Sequence, residues 1–136
     1  MAEAAGGPRE HPPEPYGDTV SRAHLAQVRA EVGDATLRRY ARIYVELLPG
    51  RLDRMETAIA ESDAAEATRV MFDLRVSSEM LGTRRLSALV SALEEALARG
   101  LPATAEQLAR VRTEAELVAA VIRAAMTDGS LRPAEE

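Results

Sequence analysis

Apolar residues recur at alternating steps of four and three along most of the chain, and this spacing constrains the fold more than any other feature. Leu37, Ala41, Tyr44, Leu48, Leu52, Met55 and Ile59 trace one stripe. Leu108, Val111, Ala115, Val118, Ile122 and Ala125 trace another. Such steps keep side chains on one face of a 3.6-residue helix. No strand pattern competes with them. The punctuation agrees with helices. Asp18 or Ser21 is placed to cap a short first helix carrying Leu25, Val28 and Val32. Gly33 ends that helix, and Asp34 is expected to cap the second. Pro49 lies inside the second stripe and is expected to kink the helix without ending it. Asp63 opens a third helix that stops at Gly82. A fourth covers 83–99, with Leu86, Leu89, Val90, Leu93 and Leu97 inward, and stops at Gly100. A fifth starts near Thr104, which has Gln107 at capping-box spacing.

Together these elements predict an all-α fold, an antiparallel up-down four-helix bundle with a short extra N-terminal helix. The bundle is expected over 18–127. A Pro/Gly-rich disordered tail is expected over 1–17 and a frayed tail over 128–136. Pro12 and Pro15 have PxxP spacing, but the stretch reads as plain solvated tail. Tyr40 and Tyr44 lean toward the predicted core.

Composition narrows the chemistry. The chain has 136 residues, a prior for one domain, and no Cys, which removes disulfides, thiolate metal sites and a cysteine nucleophile. The net charge of −5 argues against a nucleic-acid surface. The longest apolar run, 117–122, is six residues against about 20 needed to cross a bilayer. With no apolar segment behind a basic start, the reading is a soluble, cytoplasmic protein with no membrane partner. Glu94–Glu95 and Glu114/Glu116 lack a His partner at bundle-metal spacing and read as exposed helix charges. Gly6 and Gly7 precede no Gly-Lys-Ser/Thr and form no phosphate loop. Ser77 and Ser78 have no His or Lys base nearby in the sequence and read as packing residues bonded to the preceding turn. No catalytic residue, metal site or cofactor is implied.

The third helix is the informative one. At about 100° per residue, with Phe72 at 0°, Val70, Leu74, Ala67, Leu81, Ser77, Ser78 and Met71 fall between about 140° and 260°. They form the core stripe. Phe72, the only Phe in the chain, points almost the opposite way. Its neighbours on that outer face are Val76, Arg69, Glu79, Thr68 and Arg75. The face reads as a stray exposed apolar residue, as a surface covered by the short first helix, or as a protein-contact patch with an aromatic anchor ringed by charge.

The segment Phe72-Asp73-Leu74-Arg75-Val76-Ser77-Ser78-Glu79-Met80-Leu81-Gly82 resembles the signature H-x-L-K-G-S-S-x-x-L-G of the histidine-containing phosphotransfer (Hpt) domain of bacterial phosphorelays. The resemblance covers roughly 28–126. Leu74, Ser77, Ser78, Leu81 and Gly82 match, and Arg75 keeps a positive charge. The bundle derived from periodicity is also that family's fold. Two departures fall where the chemistry would occur. The family's phosphoaccepting His corresponds to Phe72, whose phenyl ring has no nucleophilic nitrogen. The Gly that lets a partner approach corresponds to Val76. The histidines, His11 and His24, lie outside the motif.

The resemblance therefore implies a degenerate member, a non-catalytic signalling module. Its expected partner is a response-regulator receiver domain or a histidine kinase, docked through Phe72, Arg75, Val76, Glu79, Thr68 and Arg69. Two alternatives stand beside it. One is an active phosphotransfer protein using another acceptor. The other is a helical scaffold that forms a homodimer through the same face.

Overall fold

The computed structural model describes residues 19–128. The expected tails, with the PxxP spacing, His11 and Asp18, lie outside the described residues, apart from Asp128, which ends the last helix. Five helices follow in order: α1 (Arg22–Val32), α2 (Asp34–Ala60), α3 (Ala64–Met80), α4 (Arg84–Ala98) and α5 (Ala105–Asp128). Among the described residues there is no strand. Helices α2 to α5 close a ring in which α2 meets α3, α3 meets α4, α4 meets α5, and α5 returns to α2. Short turns between successive helices make the neighbours antiparallel. Helix α1 packs on α2 outside the ring. No helix among the described residues is long and apolar enough to cross a membrane.

The predicted punctuation is found with one shift. Ser21 caps α1 and accepts from the His24 amide. Asp63 caps α3 and accepts from the Glu66 amide. Thr104 and Gln107 exchange two bonds at the start of α5, the reciprocal capping box. Asp34 does not cap α2. Gly33 occupies that position at φ +90°, and Asp34 is the first helical residue, paired with Arg29 of α1. There its charge meets the positive end of the helix dipole. Helix α2 runs unbroken through Pro49, which sits on the solvent side. Its missing N–H leaves the Val45 carbonyl one turn back without its intrahelical donor.

The core is built from the predicted stripes. Leu37, Met55, Leu74, Leu86, Val90 and Val118 are fully shielded. Two inward assignments are corrected. Val32, on the last turn of α1, is 38% exposed, because α1 lies across the bundle surface with one side open. Tyr40 is also 38% exposed. It lies about 40° from Tyr44 around α2 on the side away from Ala41 and Leu48, which carries it off the stripe.

Candidate functional site

The α3 stripe buries Ala67, Val70, Met71, Leu74 and Ser78, so the opposite face of α3 is turned out. Phe72 is 52% exposed and Val76, one turn on, 38%. Thr68, Arg69 and Glu79 are exposed around them, and Arg75 is half-buried at the edge. The six residues singled out from the sequence thus share one outward face. Helix α1 does not cover it. Its contacts fall two turns away, where Ser21 N–H donates to the Gly82 carbonyl at 2.8 Å and His24 Nε2 lies 2.8 Å from the Met80 carbonyl, within hydrogen-bond distance. Gly82 has φ +72°, and a Cβ built there would sit 3.0 Å from the His24 Cβ, so a small left-handed residue is needed for α1 to seat.

Arg75 is the most constrained member of the face. Its Nε donates to Glu94 Oε1 of α4 at 2.6 Å, and its Nη1 is 3.9 Å from Glu79 Oε2. The hydrogen bond to Glu94 and that carboxylate's charge hold the guanidinium above its ordinary range. The same guanidinium lies 5.3 Å from the centre of the Phe72 ring, within cation–π distance. Glu79 in turn accepts from the Ser87 hydroxyl at 3.2 Å. Arg75 therefore links the exposed ring to a cross-helix network of one cation and two carboxylates.

The two serines of the motif have different partners. Ser77 donates to the Asp73 carbonyl one turn back, the expected back-bond, and accepts from Arg51 of α2 at 3.1 Å. Ser78 is fully buried and instead meets the Tyr44 hydroxyl at 2.8 Å. Thr83 Oγ1 joins them, 3.1 Å from Tyr44 Oη, and donates to the Ser78 carbonyl at 3.0 Å. This hydroxyl cluster fixes the α3–α4 turn against α2. Burial pushes the Tyr44 hydroxyl above its ordinary pKa, with the bonds to Ser78 and Thr83 opposing the shift.

Sequence reading missed three things here. Ile43 and Leu47 of α2 and Met80 of α3 are also exposed, at 44%, 42% and 42%. Arg51 reaches α3 from the same side of α2, and Leu47 lies one turn before it, so this apolar surface flanks the α2–α3 seam. Applying the angular construction to α2 as well as α3 finds it, since Leu47 and Ile43 lie about 60° and 100° from Tyr44. Second, Glu114 is buried, not an exposed helix charge, and its carboxylate is 3.5 Å from Arg85 Nη1. Third, Glu94 is half-buried as the partner of Arg75.

A family model described as the Hpt domain matches residues 39–121, more than half of the chain. The chain belongs to the Hpt domain family. The match runs from α2 into α5 and leaves α1 outside it. No curated protein and no solved structure matches the chain. An Hpt domain is a carrier module of phosphorelay, two-component signalling and interacts with kinases and receiver domains. In this Hpt domain the outward face of α3 presents a phenyl ring, a valine and paired charges. His24 stands apart from that face, packed at the end of α3.

Proposed function

We propose that this Hpt domain is a cytoplasmic, non-catalytic docking module that binds a response-regulator receiver domain or a histidine kinase through Phe72, Val76, Arg75, Glu79, Thr68 and Arg69. One observation carries the reading. The position that matches the family's phosphoaccepting His is occupied by a half-exposed Phe72, on a helix whose packing residues keep the family pattern. A phenyl ring offers no lone pair to phosphorus, so no phosphoryl group is carried there. It does offer apolar area to a partner, and Val76 adds to it where the family's Gly would leave space. Arg75, already bonded to Glu94, holds a fixed position beside the ring, so little side-chain freedom is lost on docking.

The reading is tested by incubating the purified chain with a phosphorylated receiver domain. No acid-labile phosphate is expected on the chain, while the receiver is retained on immobilised wild-type protein and lost from Phe72→Ala. Uptake of acid-labile phosphate by the wild type overturns the non-catalytic reading, and equal retention by Phe72→Ala overturns the docking face.

A further inference from the structure

We infer that a second copy of this chain docks on the same α3 face, antiparallel, about a two-fold axis level with Leu74. The sequence of the outer face is self-complementary about that point. Phe72 and Val76 lie two residues either side of Leu74, Arg69 and Glu79 five either side, and Thr68 and Met80 six either side. A two-fold axis perpendicular to the helix brings each member of a pair level with its counterpart on the other copy. Phe72 then meets the second copy's Val76 twice over, and Arg69 meets the second copy's Glu79 twice over. The exposed Met80 falls beside Thr68.

The lateral offsets within each pair are small enough for side chains to bridge. Measured from the direction midway between Phe72 and Val76, Arg69 lies about 40° to one side and Glu79 about 40° to the other. Those opposite offsets are spanned by the long Arg and Glu side chains, and Phe72 and Val76 lie only about 20° to either side of the same direction. Both charged groups are accessible, with side chains 67% and 56% exposed. Arg69 spends one nitrogen on Glu66 and has further N–H donors to offer. The contacts of Glu79 with Ser87 and Arg75 both fall on Oε2, which leaves Oε1 for a partner. The apolar centre and the two symmetric ion pairs supply the attraction and the register of an isologous dimer. Such a dimer covers Phe72 and competes with any other protein for that face, so self-association sets how much docking surface is open.

Sedimentation equilibrium of the full chain, alone in buffer, tests this from low micromolar concentration to on the order of 1 mM. The mass is expected to rise from 14.7 kDa toward twice that value. Phe72→Ser is expected to stay monomeric. Arg69→Glu and Glu79→Arg each place like charges together twice and are expected to weaken the dimer by at least about tenfold. Combining them restores opposite charges and is expected to recover the wild-type association, with circular dichroism recording the same helix content throughout. A monomer at every concentration, or a dimer indifferent to Phe72→Ser, overturns the proposal. A dimer that the double reversal does not restore overturns the register. No receiver or kinase is in the cell, so failure here is separate from failure of partner docking.

Discussion

Replacing Phe72 with Ala separates a docking role from a packing role. The Phe72 ring is 52% exposed. Phe side chains bury about 150–250 Å², so roughly 100 Å² of this one remains to be covered by a partner. At about 25 cal/mol per Å² that is about 2.5 kcal/mol, or roughly 60-fold in Kd. The exposed half contributes nothing to the isolated bundle, and Ala is the better helix former at this position. The shielded half, by the same area arithmetic, limits the loss of stability to about 2.5 kcal/mol or less, below the roughly 3–5 kcal/mol of a core Phe→Ala. Titration calorimetry against a receiver or kinase recovered on wild-type protein measures the first quantity, and thermal denaturation the second. A Kd within twofold of wild type refutes the area argument. A loss of several kilocalories per mole in stability refutes the placement of the ring outside the core.

Other substitutions probe the scaffold beneath the face. Tyr44→Phe removes the hydroxyl that joins Ser78 and Thr83 in the core, with an expected cost of about 1–2 kcal/mol in urea denaturation. An unchanged midpoint would show that the cluster adds nothing. Burial raises the Tyr44 pKa, so the folded state holds this proton more tightly than the unfolded chain does. The associated stability is complete below about pH 10 and is lost as the pH rises from there through the folded-state value, which a denaturation series at alkaline pH measures. Tyr44→Phe should remove that part of the alkaline loss. Gly82→Ala should cost more than Gly100→Ala, by about 1 kcal/mol or more. Both have positive φ, but only Gly82 has His24 within contact of the added methyl. Equal midpoints for the two variants would contradict the close seating of α1.

The bundle was legible because each helix carries a stripe and a stop signal that agree. Asp63 and the Thr104–Gln107 box act through bonds three residues apart, so local sequence determines them. The outward direction of Phe72 followed from helix geometry alone, since the rest of α3 leaves one possible buried side. What escaped were relations between helices. Ser78 looked like a residue bonded to its own turn, but its partner is Tyr44, 34 residues away. Glu114 looked like surface charge, and its burial against Arg85 depends on how α4 meets α5. Gly33 took the cap assigned to Asp34 because the chain turns there with positive φ, which frees Asp34 to pair with Arg29. Tyr40 lay near enough to the α2 stripe to be counted with it, yet it stands on the open side of that stripe while Leu37 and Ala41 beside it are covered.

The central claim is that an Hpt scaffold keeps its docking face without the phosphoacceptor. It is tested most directly by comparing the wild type with a Phe72→His, Val76→Gly double variant, which rewrites the segment to match the family signature at both departures. Each is incubated with the same phosphorylated receiver domain recovered on wild-type protein, and acid-labile phosphate on the chain is measured. The account predicts that label moves to the double variant and none to the wild type, although the wild type binds that receiver. Label on the wild type, at Phe72 or anywhere else in the chain, contradicts it.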